Sequence, residues 1–223
     1  MKKGPIVAID GPAGSGKSTV AKLLAKRLGF THIDTGALYR GVALLAIENK
    51  VELGSEKAVV SSAQGVHFEF RQTDAGNVLF LDGRNVGTAI RTEAVGAAAS
   101  VVSALPGVRA LLLDLQRKQG DRGSVVLEGR DIGTVVFPQA EVKIFLTASI
   151  EARAQRRATE LEDRGQKADL EQVKEEMIRR DRQDSTRAIA PLKQAEDALL
   201  VDTSGMSIDS VLDRLESIVR NAQ

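Results

Sequence analysis

The run Gly11-Pro12-Ala13-Gly14-Ser15-Gly16-Lys17-Ser18 matches G-x-x-x-x-G-K-[ST], and it constrains this chain more than any other feature. It follows a short apolar run at residues 6–9 and opens a stretch of helical spacing at residues 17–28. A glycine-rich turn in that setting can aim backbone N–H groups at an anion, and the N-terminus of the following helix adds partial positive charge. Lys17 can then bridge the β- and γ-phosphates of ATP while the Ser18 hydroxyl approaches Mg2+; Gly11, Pro12, Ala13, Gly14, Ser15, Gly16 and Thr19 complete the cradle. The competing explanation is a glycine-rich turn with no ligand. A four-position match of this kind arises by chance in about one chain in a hundred, and the correct strand and helix flanks lower that further.

The rest of the chain alternates in the same way. Apolar runs at residues 6–9, 30–33, 125–127, 142–146 and 199–201 suit strands covered on both faces. Helically spaced stretches lie at residues 17–28, 37–49, 150–162 and 208–221. The pattern predicts an α/β fold of P-loop type, a five-stranded parallel sheet flanked by helices. Residues 66–86 break the rhythm: alternation at 66–71, 78–81 and 84–86, separated by turn residues, predicts a small antiparallel sheet. Helices are expected at about 92–105 and 108–119, with Pro106-Gly107 as the stop between them. An inserted lobe is therefore expected over about residues 36–120. Asp163-Arg164-Gly165-Gln166 interrupts two charged helices and forms the tip of a candidate lid.

Composition narrows the partners. Lys plus Arg (31) nearly balances Asp plus Glu (30), which gives no general attraction to nucleic acid or an anionic membrane. The absence of cysteine excludes a disulfide scaffold, a thiolate metal site and a cysteine nucleophile. The opening apolar run is too short for a signal-peptide core or a membrane span, so a cytoplasmic protein is expected. His32 and His67 are isolated, with no second ligand at metal spacing, and read as structural. No extended heptad pattern is present, so a monomer is expected.

A phosphate loop alone serves kinases, switch GTPases, motors and transporter ATPases alike. No Asn-Lys-x-Asp guanine-reading segment is present, and no apolar strand ends in Asp-Glu. Arginines supply the positive signal, because transfer between two anionic phosphates needs cations on both. Arg40 and Arg130 follow predicted strands; Arg153, Arg156 and Arg157 share a helical face; Arg164 sits at the lid tip, with Arg180 and Arg187 beyond it. Residues 151–187 carry ten basic and ten acidic side chains, so local pairing on a solvated surface is the competing explanation for most of them.

Three further strings carry a resemblance. Asp34-Thr35-Gly36-Ala37-Leu38-Tyr39-Arg40, Gly129-Arg130-Asp131-Ile132-Gly133-Thr134-Val135-Val136-Phe137-Pro138 and Arg180-Asp181-Arg182-Gln183-Asp184-Ser185-Thr186-Arg187 resemble successive signatures of the bacterial cytidylate kinases, nucleoside monophosphate kinases that phosphorylate CMP or dCMP. With the glycine-rich loop they span nearly the whole chain. The resemblance implies a core (about 1–35, 121–150 and 188–223), an NMP-binding lobe (36–120) and a lid (151–187). It implies that Lys17, Arg130 and Arg157 act on the transferring group, that Arg40, Arg130 and Arg187 hold the acceptor phosphate, and that Arg180 and Asp184 lie near the sugar. Base reading falls to Ser100, Arg109 and Asp131. A carboxylate can accept a hydrogen bond from the cytosine 4-amino group, where uracil presents a carbonyl. Taken alone, Asp131 would read as an ion pair with Arg130 or another base. Thr35 stands where serine is usual in the family, and Tyr39 is left between pocket lining and helix packing. Competing functions are a P-loop kinase of another small acceptor, such as UMP or a sugar, and an ATP-controlled switch.

Overall fold

The structure, a computed structural model, describes residues 4–74, 76–121, 123–163 and 165–222. Along the chain run β1 (Ile6–Asp10), α1 (Lys17–Leu28), β2 (Thr31–Asp34), α2 (Gly36–Glu48), α3 (Glu56–Ala63), β3 (Phe68–Thr73), β4 (Gly76–Leu81) and β5 (Arg84–Asn85). There follow α4 (Glu93–Val102), α5 (Pro106–Gly120), β6 (Val125–Gly129), β7 (Val142–Thr147), α6 (Ile150–Asp163), α7 (Leu170–Thr186), β8 (Leu199–Asp202) and α8 (Ile208–Asn221). A 3-10 turn (Ala89–Arg91) and a π turn (Ile132–Val136) stand between elements.

The parallel sheet has the order β2-β6-β1-β7-β8, with Ala8 of β1 in register with Leu127 on one side and Lys143 on the other. Val7, Ala8 and Ile9 are fully buried. A central parallel strand is covered on both faces, which is why this run is continuously apolar rather than alternating. The expected five-stranded α/β architecture is the one found.

The chain divides into two compact units, Met1–Phe30 with Gly123–Gln223, and Thr31–Arg122. In the first, Val7, Ile9, Leu24, Ile144, Leu146 and Leu215 form one core. α8 presents Val211, Leu212, Leu215 and Val219 on one face, and Ser207 caps its first turn by accepting from Ser210 N. In the second, α2 is buried around most of its circumference, packed by α3, α4, α5 and β4. Phe68, Leu79 and Leu81 of the antiparallel β3-β4-β5 sheet close this second core.

Two local expectations change, and one helix is added. Pro106 does not stop a helix; it begins α5 at the first position, where a missing N–H costs nothing and its fixed φ is helical. α4 accordingly ends early, at Val102. Helix α3 carried no sequence expectation, because eight residues mixing Glu, Lys and Ser give too short an apolar period to read. Among the described residues no single helix is long and apolar enough to cross a membrane.

Leu24 is completely buried in the first core, whereas Ile208 is 53% exposed at the start of α8. Leu24→Ala should lower the urea unfolding free energy by about 3 kcal/mol, and Ile208→Ala by about 0.5 kcal/mol or less. Equal losses would contradict the packing described.

Candidate active site

The phosphate-binding loop connects β1 to α1 along a path only glycine can take. At Gly11 φ is 151°, and a Cβ there would sit 1.9 Å from the Leu146 carbonyl oxygen in β7. Lys17 is 6% exposed, and its Nζ donates to the Pro12 carbonyl at 2.7 Å. Burial holds this ammonium well below the usual lysine range, Arg130 pushes it lower, and Glu128 opposes both. The Ser18 hydroxyl donates to Glu128 Oε2 at 2.6 Å. Gly11, Pro12 and Ser15 are buried, Ala13 and Gly16 half-buried, and Gly14, Ser18 and Thr19 exposed.

Arginines from α6 brace this loop. Buried Arg153 donates through Nη1 to the Ala13 carbonyl (3.1 Å) and to Asp181 Oδ2 in α7 (2.6 Å), and through Nε to the Ala148 carbonyl (3.0 Å). Arg156 donates to the carbonyl oxygen and hydroxyl of Thr203, and that hydroxyl shares its single proton between the Thr147 carbonyl (3.1 Å) and the Ser15 carbonyl of the loop (3.3 Å). Arg157, the third residue of that face, donates to Glu160 on its own helix. Arg164 lies outside the described residues.

At the end of β6 the structure brings Arg130, Asp131, Arg180, Asp184 and Arg187 into one electrostatic group. Arg130 Nε donates to Asp184 Oδ2 at 2.8 Å, and Arg187 Nη2 to Asp131 Oδ1 at 3.3 Å. The second pair is almost wholly buried, with side chains 6% and 5% exposed. Burial pushes the Asp184 carboxyl up, but Arg130, Arg180 and Arg187 together hold it below the usual range. Asp131 thus pairs with Arg187, and its neighbour Arg130 pairs with Asp184.

The second unit holds the remaining expected residues. Thr35 is buried at the N-cap of α2. Arg40 donates to Asp34 Oδ2 at 2.5 Å, and Arg91 donates to the same oxygen at 3.0 Å. Burial opposes ionisation of Asp34, but Arg40 and Arg91 outweigh it and hold the carboxyl low. Arg109, 7% exposed, lies over the Tyr39 ring at 5.3 Å and donates to the Ser103 carbonyl at 3.1 Å. The Ser103 hydroxyl donates to the main-chain carbonyl of Ser100, so Ser103 links these two expected base readers through backbone carbonyls.

Sequence reasoning missed three acids: Asp10 ending β1, Asp34 ending β2, and Glu128 one residue before the end of β6. They share one signal, a carboxylate closing an apolar strand run, and ligands of parallel sheets gather at those carboxyl ends. Asp10 is 5% exposed, with Oδ1 accepting from Ile132 N (2.8 Å) and Oδ2 from Gly133 N (2.7 Å). Burial pushes its carboxyl up to about 6, against the pull of the Gly133 and Ile132 N–H groups; Asp131 adds to the rise and Lys17 opposes it.

A carboxyl raised from 3.8 to about 6 contributes stability that is complete below pH 3.8 and lost as pH climbs through 6. Asp10→Asn removes that titration. The stability of the wild type relative to this variant should rise by about 2 kcal/mol between pH 7 and pH 4.5. Urea unfolding of both proteins at the two pH values checks this; a difference that shrinks on acidification reverses the sign.

The sequence profile described as cytidylate kinase matches residues 7–221. The cytidylate kinase of Geobacillus sp. is 48% identical over 219 residues, covering 98% of each chain. That of Carboxydothermus hydrogenoformans is 50% identical over 213 residues, covering 96% of each. Among solved structures, shikimate kinase from Bacteroides thetaiotaomicron superposes with a TM-score of 0.51 at 13% identity, covering 97% of this chain and 98% of that one, a likeness of fold. A phosphate loop and paired arginines at the strand ends, with full-length identity near one half, have one common explanation: the chain belongs to the cytidylate kinase family.

Proposed function

We propose that the protein transfers the γ-phosphate of ATP to CMP or dCMP, giving ADP and CDP or dCDP. The observation that carries this reading is the full-length match to cytidylate kinases, in which the phosphate loop and all three signature strings fall inside the matched residues.

In this reading the backbone of residues 11–19 and Lys17 bind the donor triphosphate, and Lys17 leaves the Pro12 carbonyl for the β- and γ-phosphates. Ser18 and Glu128, a hydroxyl and a carboxylate 2.6 Å apart, are the hard oxygen donors Mg2+ takes and would hold the ion that travels with ATP. When bound, Mg2+ neutralises charge on the β- and γ-oxygens. Arg40, Arg130 and Arg187 hold the acceptor phosphate; Arg180 and Asp184 bind near the sugar; Ser100, Arg109 and Asp131 read the base, and Thr35 adds a substrate-binding hydroxyl. Arg157, with Lys17 and Arg130, offsets charge on the transferring group.

An acceptor phosphate oxygen attacks the γ-phosphorus in line as the bond to the β-phosphate oxygen breaks and ADP leaves. A phosphate monoester with a second pKa near 6 is mostly dianionic at neutral pH, so no general base is required. The protein's contribution is alignment, charge neutralisation and exclusion of water as a rival acceptor. Residues 151–187 act as the lid that excludes water, residues 36–120 as the NMP-binding lobe, and the enzyme works as a cytoplasmic monomer.

A coupled ADP-release assay with MgATP and, separately, CMP, dCMP, UMP, AMP, GMP and no acceptor tests the reading. Turnover should depend on CMP or dCMP. Lys17→Ala should lower kcat by at least about a hundredfold, and Asp131→Ala should narrow the preference for CMP over UMP. Preference for UMP or a sugar would point to another acceptor, and ADP release without any acceptor would point to a switch.

A further inference from the structure

Helical turns leave their first N–H groups without partners inside the turn, and an Asp at the N-cap position normally accepts one of them. Asp131 occupies that position before the Ile132–Val136 turn, yet its side chain makes no capping hydrogen bond. Its carboxylate is turned to Arg187 instead. The orphaned N–H groups of Ile132 and Gly133 are both taken by Asp10, which reaches them from the end of β1, 122 and 123 residues away in sequence.

The two ends of this tether are both fixed. Asp10 is in register with Gly129 of β6 and Phe145 of β7, and the next residue, Gly11, enters the phosphate loop against Leu146. At Gly133 an added Cβ would crowd the Lys143 stem at 3.2 Å and lie in ordinary contact with Asp10 Oδ2 at 3.5 Å. The Asp131 carbonyl meanwhile accepts from Val135 N (2.9 Å) and Val136 N (3.2 Å), so the backbone of Asp131 is committed to the turn while its side chain is not.

We infer that Asp10 is a positioning residue for base selection: it caps the Ile132–Val136 turn in place of Asp131, which leaves the Asp131 carboxylate to Arg187 and to the acceptor base. Without that substitute cap the N-cap carboxylate of Asp131 is the local acceptor for the Gly133 N–H, at the second position of its own turn, and would swing back onto it and away from the cytosine amino group. The inference rests on the assignment of Asp131 as a base reader.

The test is a double-mutant cycle read as the ratio of kcat/KM for CMP to that for UMP. Asp10→Asn keeps the shape of the side chain but opposes an amide N–H to one of the two backbone donors. In a folded protein it should lower the ratio about tenfold, the loss expected for one misdirected hydrogen bond. Asp131→Ala should lower the ratio at least as far, and adding Asp10→Asn to Asp131→Ala should lower it no further. A purely structural role for Asp10 would lower the melting temperature and leave the ratio alone; that result, with Asp131→Ala still lowering the ratio, overturns the inference. An unchanged ratio in Asp131→Ala overturns the base-reading assignment itself. If Asp10→Asn does not fold by circular dichroism, Asp10→Ser, which keeps a single acceptor oxygen, is read by the same criteria.

Discussion

A protein that handles phosphate must bury cations before any phosphate arrives, and an unpaired buried charge costs several kcal/mol. This requirement organises the site. Arg130 rests on Asp184, Arg187 on Asp131, Arg40 on Asp34, and Arg153 on Asp181. Lys17 takes a carbonyl of its own loop. The carboxylates also fix the planar guanidinium groups in orientation, so less side-chain entropy remains to be lost when a phosphate is bound.

Of these acids Asp181 and Asp184 stand on α7, whereas Asp34 belongs to a set at the carboxyl ends of strands. Asp10, Asp34 and Glu128 stand at or next to the ends of β1, β2 and β6, where an apolar run gives way to loop. Each faces a different polar partner: the backbone of the Ile132–Val136 turn, the Arg40 and Arg91 guanidinium groups, and the Ser18 hydroxyl. Parallel strands deliver such residues with little freedom, because their backbones are pinned on both sides or along one edge by the sheet. Loops that would otherwise wander are thereby held against rigid elements.

Much of this architecture was legible in the sequence, for identifiable reasons. Buried parallel strands read as short continuous apolar runs, the glycine-rich loop fixed the first crossover, and the alternation near residues 66–86 marked the antiparallel sheet. Pro106 misled because proline is equally at home just after a helix and at the first residue of the next, and only the three-dimensional course of the chain decides between them. Within the site, arginines could be nominated from spacing and family resemblance, but their partners could not. Arg130 pairs 54 residues away and Asp10 binds 122 residues away. No local pattern encodes a hydrogen bond of that span. Asp131 shows the limit most clearly: its neighbour Arg130 was the obvious local partner, and the chain gives it Arg187 instead.

The preformed pairs also bear on what the enzyme rejects. A bare cationic pocket would attract any anion, and its affinity would follow charge alone. Where each guanidinium already holds a carboxylate, an entering phosphate gains only the difference between its own attraction and that of the carboxylate it displaces or shares. A dianionic phosphate with three acceptor oxygens can engage several guanidinium groups at once and still leave each carboxylate a partner. A monoanion or a water molecule gains less from the same exchange. On the proposed assignment, the acids at Asp131 and Asp184 would act against weaker ligands as well as holding Arg187 and Arg130 in place, and the difference they impose would grow with the charge the acceptor brings.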